Sequence, residues 1–142
     1  MYVLDTDTYS QFLRGHAQIK RRILEKPPGS VHLSVITPEE ILRGRLDGIN
    51  SVRKQKSAAV SAAYDYFLGY LAELQKREYE ILPYDAAAEA AFRAWPPAWK
   101  QAGSQDCRIA AVAHVHQFTV VTCNTRHFSK ITPVKIEDWS LG

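Results

Sequence analysis

Asp5 and Asp7 close the opening run MYVLDTD, directly after apolar residues, and Glu40, Asp106 and Asn124 recur at similar places further along the chain. Glu40 follows the apolar run VHLSVIT, Asn124 follows TVVTC, and Asp106 falls in the first turn of a helical pattern that starts near Ser104. Two chemistries want acids in such places. One is an aspartate that attacks a phosphoryl group; the other is a set of carboxylates that holds a metal ion. Hard oxygen donors in this number suit Mg²⁺ or Mn²⁺, which keep several waters and are held by a few carboxylates plus substrate phosphate. Carboxylates gathered in one pocket repel one another, and a divalent cation relieves that repulsion. Each residue also has a plainer use. Thr37-Pro38-Glu39-Glu40 fits a capping box with Thr37 as N-cap, Asp106 favours a helix dipole, and Asn124 suits a turn. Asp5 is different, because an ionised carboxylate at the end of a buried strand needs a partner. It is the convergence of the four that carries the metal reading.

Convergence requires a scaffold. Short β-branched runs alternate with longer helical patterns, the signature of βαβ units and a parallel sheet. The strands expected are 2–5, 31–36, 80–83, 119–122 and a short one at 135–137. Helices are expected at 8–14 and 17–25, with Gly15 as the break and Pro27-Pro28-Gly29 as the stop. A helical pair spans 38–77, its longer member carrying Tyr64, Phe67, Leu68, Leu71 and Leu74 as a packing face. Asp85 caps an alanine-rich helix that ends at Trp95-Pro96-Pro97, and the last major helix starts near Ser104. Right-handed crossovers bring the C-terminal ends of such strands to one edge, where ligands of open α/β sheets bind.

With 142 residues the chain is expected to form one domain, 1–142, able to bury a core without staples. A net charge of +3 does not announce a nucleic-acid binder, yet permits one if the charge is clustered. No stretch reads as a leader or a membrane span, so a soluble cytoplasmic protein without a membrane partner is the expectation. Cys107 and Cys123 lack metal-binding spacing and are expected to be reduced, buried thiols.

Several segments together resemble a known family. VLDTD, SVITPEEILRG, DCRIAAVA, VTCNTRHF and the closing IEDWS follow, in order and spacing, the motifs of PIN-domain ribonucleases, specifically the VapC-type toxins of toxin–antitoxin pairs. The resemblance covers nearly the whole chain. It implies a three-layer α/β/α sandwich around a parallel sheet of four to five strands. It also places the family's acids on Asp5, Glu40 and Asp106, with Asn124 at the fourth polar position. Three departures stand out. Asp7 occupies a usual asparagine position, His127 stands where many relatives carry an acid, and Ala94-Trp95-Pro96-Pro97-Ala98-Trp99 matches no family motif. Its tryptophans either pack against the fold or offer a stacking surface to an unpaired base.

The resemblance further implies hydrolysis of RNA phosphodiesters. Asp5, Glu40 and Asp106 would hold Mg²⁺ or Mn²⁺ and Asn124 would orient a ligand or water. Basic residues such as Lys20, Arg21, Arg22, Arg43, Arg45, Arg53, Lys54 and Arg108 would meet the phosphates of an RNA such as tRNA or rRNA. Expected partners are a cognate VapB-type antitoxin and a second copy in a homodimer. Two rivals are weighed. Asp5-Thr6-Asp7-Thr8-Tyr9 nearly fits the DxDxT of haloacid dehalogenase-type phosphatases, with Asp5 as nucleophile, but the later lysine and acidic pair have no convincing equivalents. A catalytically inactive PIN-like binding module is the other.

Overall fold

The computed structural model describes residues 1–55, 58–101 and 103–142. Two compact units emerge: residues 1–37 with 79–142, and residues 38–78.

The first unit holds a five-stranded, all-parallel sheet in the order β3-β2-β1-β4-β5. Its strands are short: β1 Tyr2–Leu4, β2 Val31–Ser34, β3 Glu80–Leu82, β4 Thr119–Val121 and β5 Ile136–Glu137. β2 is buried at every position, as a strand covered on both faces must be. Helices α1 (Thr6–Leu13) and α2 (Ala17–Leu24) connect β1 to β2, and Gly15, at φ 88°, makes the left-handed turn between them. The path from β3 to β4 runs through α5 (Ala86–Ala94), α6 (Pro97–Lys100) and α7 (Ser104–His116). β1 to β2 and β3 to β4 cross the sheet in opposite directions. Right-handed connections therefore set α1–α2 and α5–α7 on opposite faces, giving the α/β/α layering. Cys107 and Ile109 to Ala113 are fully buried in α7, which packs over β1, β2 and β4 and against α5. Alanines on both helices permit that approach. Asp85 caps α5, its Oδ1 accepting from the Ala88 amide at 2.9 Å. A short α8 (Thr125–Phe128) follows β4.

The second unit is a helical pair, the continuation of α3 (Ile36–Lys54) and α4 (Val60–Gln75). Tyr70 is fully buried, with the Arg45 guanidinium 5.2 Å from its ring centroid and 3.5 Å from that of Tyr66.

Three expectations need correction. The second strand stops at Ser34, and Ile36 already belongs to α3. Thr37 and Pro38 thus lie inside the helix, and the Thr37 hydroxyl pairs with Thr6 Oγ1 at 3.1 Å instead of capping it. On α4, Tyr64 and Leu68 are exposed, 46% and 62%, while the unselected Tyr70 is buried.

Candidate active site

β1 and β4 are neighbours, although their connections leave in opposite directions, so the crevice at their C-terminal ends is the topological switch point of the sheet. Leu4 pairs with Leu33 on one side and with Val121 on the other. One residue further on, Ser34, Asp5 and Thr122 form a rank across the edge, with side chains on one face.

Asp5 is 2% exposed and holds two hydrogen bonds. Its Oδ1 accepts from the Thr8 amide at 2.8 Å, making Asp5 the N-cap of α1. Its Oδ2 accepts from Thr122 Oγ1 at 2.6 Å. Thr122 Oγ1 in turn accepts from the Asn124 amide at 2.9 Å. The bonds are aligned from backbone to hydroxyl to carboxylate, each polarising the next. Asp106 sits in the first turn of α7, and its Oδ2 accepts from His127 Nδ1 at 3.0 Å. His127 is buried in α8, and its Nε2 lies 3.5 Å from the Trp99 carbonyl.

Electrostatics mark the same pair. Burial pushes the Asp5 carboxyl up to about 6, against the pull of its Thr122 and Thr8 hydrogen bonds, and the charge of Asp106 adds to the rise. Burial also raises Asp106, His127 opposes it, and the exposed Asp7 pushes it further up. Asp106 therefore acts on Asp5, and Asp7 on Asp106, as like charges.

Of the four residues selected from sequence, Asp5 and Asp106 are brought together. Asn124 contributes its backbone amide through Thr122 and is exposed. Glu40 belongs to the second unit, as the fifth residue of α3. Sequence reasoning missed Thr122 and Ser34, whose signal is a hydroxyl ending an apolar run. It read His127 as a loss, whereas the ring engages Asp106. Trp95 packs into the core with its ring 5.6 Å from that of Trp99, so the unassigned loop is a packing element. Cys107 is buried and Cys123 half-buried, both as free thiols. Cys123 Sγ lies 3.6 Å from both Thr8 Oγ1 and Gln11 Nε2. Among the basic candidates, Arg21 pairs with Glu25 at 3.6 Å and Arg43 with Glu39 at 2.6 Å, both on exposed helix faces. A half-open cavity of about 680 Å³, lined in part by His114, Gln117, Phe118 and Lys135, adjoins the start of β4 and so lies at the opposite edge.

The donor set suits a hard divalent cation that keeps most of its water. Among the described residues no group of three or more His, Cys, Asp or Glu side chains is placed to hold a metal ion. Two carboxylates whose charges act on one another, beside partly open space at Asp106, are a donor set that a divalent ion keeping its waters could use. Ser34 Oγ is fully buried at this edge without a hydrogen-bond partner, which leaves a polar atom to be met by water or ligand.

The PIN domain family model matches residues 2–132. Among solved structures, VapBC-1 from nontypeable Haemophilus influenzae aligns with a TM-score of 0.71 and 20% identity over 99% of this chain and 98% of the other. DNA-bound VapBC from Salmonella typhimurium aligns with a TM-score of 0.70 and 25% identity, covering 97% of both chains. VapBC-5 from Mycobacterium tuberculosis, a member of the VapBC family of toxin–antitoxin systems, gives 0.61 and 25% over 96% of both. No curated protein matches the chain. PIN-domain nucleases generally use divalent metal ions. Among the described residues, no helix is long and apolar enough to cross a membrane. With a family match spanning nearly its whole length, the chain belongs to the PIN-domain family of nucleases.

Proposed function

We propose that the chain is a Mg²⁺- or Mn²⁺-dependent endoribonuclease acting in the cytoplasm as the VapC-type toxin of a toxin–antitoxin pair. The observation that carries this is Asp5: a carboxyl buried at the switch point, tied down on both oxygens, and crowded by a second acid. Neutralising a side chain in that position would relieve the crowding, and a bound cation does so while keeping the carboxylate ionised. When bound, the ion would offset charge on the scissile phosphate and acidify an attacking water for in-line displacement. Asp5 and Asp106 are the proposed ligands. Thr122 and Thr8 hold Asp5 in one orientation, so that no reorganisation is needed when substrate arrives. Glu40 is retained as a third ligand on the strength of the family motif, and Asn124 as the residue that orients a ligand or water.

The complexes named above support a VapB-type antitoxin as the restraining partner; the family resemblance implies that it approaches the acidic pocket with a basic side chain. Exposed Leu46, Tyr64, Tyr66 and Leu68 on the second unit support a homodimer surface. Induced expression of wild type beside Asp5→Asn, with mapping of RNA ends, tests the proposal. Growth arrest with discrete, metal-dependent cuts is expected from wild type alone. Equal toxicity of the two would remove Asp5 from the site, and binding of RNA by wild type without cleavage would favour an inactive module.

A further inference from the structure

We propose that His127 is a positioning residue for Asp106: its Nδ1 proton engages Oδ2, leaving Oδ1 as the oxygen that Asp106 presents to a divalent ion. The inference rests on the nuclease reading of this site. A carboxylate oxygen can only accept, so the 3.0 Å contact requires a hydrogen on Nδ1. The ring is held from several sides. Its Nε2 lies 3.5 Å from the Trp99 carbonyl, and that carbonyl also accepts from Cys107 Sγ at 2.8 Å, which anchors α6 against α7. The Phe128 ring stands 5.6 Å away. Gly103 closes the remaining side: a Cβ there would meet both Asp106 Oδ2 and His127 Cε1 at 3.3 Å. The histidine is 5% exposed and the carboxylate 27%, so the pair points its acid outward from a fixed base.

A carboxylate with one oxygen occupied favours one-oxygen ligation over two. It also cannot swing toward or away from Asp5 without breaking its part-buried hydrogen bond to His127. An acid at position 127 would have added a further negative charge to the crevice. The imidazole supplies a donor instead, which opposes the upward push that burial and Asp7 exert on Asp106. Outer partners of metal ligands typically contribute about 10- to 100-fold in affinity or activity.

The alternative is a histidine that only fills space, and calorimetric titration with Mn²⁺ in the absence of RNA separates the two. An asparagine amide can place its N–H near the Nδ1 position, a glutamine near Nε2, and leucine supplies no donor. His127→Asn is expected to bind Mn²⁺ within about threefold of wild type, while His127→Gln and His127→Leu weaken binding about 10- to 100-fold. Equal affinity of folded His127→Leu and wild type would overturn the inference, as would equal weakening by Asn and Gln. Should His127→Leu fail to fold, the Asn and Gln pair decides. Asp5→Asn is the control for the underlying reading. If it binds Mn²⁺ like wild type, the nuclease site itself is misplaced. If it abolishes binding while His127→Gln changes nothing, the role of His127 alone fails.

Discussion

Two groups of acids are handled in opposite ways: one lies at the end of β5, and the other pairs the residue after β1 with the first turn of α7. Glu137 and Asp138, at the end of β5, find their donors within two residues. Glu137 Oε2 accepts from Trp139 Nε1 at 2.7 Å, and Asp138 Oδ1 accepts from the Ser140 amide and hydroxyl at 2.8 and 2.6 Å. Those bonds seat Trp139, 1% exposed, edge-on against Tyr2 at 4.9 Å, with the Lys26 ammonium about equally close to both rings. Asp5 and Asp106 draw side-chain donors from residues 117 and 21 positions away, and burial raises both carboxyls. Local satisfaction builds a clasp between the chain's end and β1. Hydrogen bonds that do not offset burial leave two like charges close together, which costs stability and makes sense as a binding site.

The sharpest way to break this contrast is to exchange the outcomes. Asp5→Asn should lower RNA cleavage by at least about a hundredfold while leaving the metal-free protein folded, since asparagine caps a helix as well as aspartate does. Trp139→Ala should do the reverse, with a loss of about 3–5 kcal/mol in denaturant unfolding but, where folded, cleavage within about threefold of wild type. If Trp139→Ala abolished cleavage in the folded protein, the clasp would be part of the active site and the contrast would collapse.

A pH series sharpens the same point through its sign. Asp5 titrates near 6 in the fold, against an ordinary 3.8, so between those values the folded state holds more protons than the unfolded state. Stability from this group therefore falls as pH rises from about 4 to about 6, and the deficit persists above that. It amounts to on the order of 2–3 kcal/mol at neutral pH. Thermal melts of the metal-free protein should show Asp5→Asn more stable than wild type at pH 7.5, with the gap closing as pH falls toward 4. Mg²⁺ should narrow the gap at pH 7.5 by stabilising wild type alone. A gap independent of pH would mean that Asp5 is not the strained group.

Patterns confined to one segment were readable in the sequence; contacts between distant segments were not. The alternation of β-branched runs with helical periods made the parallel sheet and most crossovers legible, because each pattern belongs to its own segment. Boundaries slipped where a residue's preference and its neighbours' bonds disagree. Ile36 has strand character, yet the Val35 amide already spends the last ladder bond on the Leu82 carbonyl and α3 begins at once. Likewise α1 starts at Thr6 instead of Thr8, since poor helix formers are acceptable in a first turn capped by Asp5. Asp5 and Asp106 could be picked as a strand end and a first turn. The parts played by Thr122, Ser34 and His127 could not, because they arise from cross-strand register and from a contact between α7 and α8 that no local pattern encodes.

Asp7 lies between the two groups in character and carries the smallest expected effect. It is exposed, inside the first turn of α1, where its charge suits the helix dipole. It also reaches Asp106, but as the least of the influences on that carboxyl, behind burial and both contributions of His127. Asp7→Asn removes one repulsion and one favourable dipole contact, each small at an exposed position, so the two changes nearly cancel in stability. In the site, the loss should let Asp106 ionise slightly more readily. RNA cleavage should stay within about threefold of wild type, and Mn²⁺ affinity should shift by no more than that, far below the tenfold that 1.4 kcal/mol represents. A loss as deep as that of Asp5→Asn would place Asp7 with the crowded acids, and the two carboxylates of the opening DTD would then have to be treated as one unit.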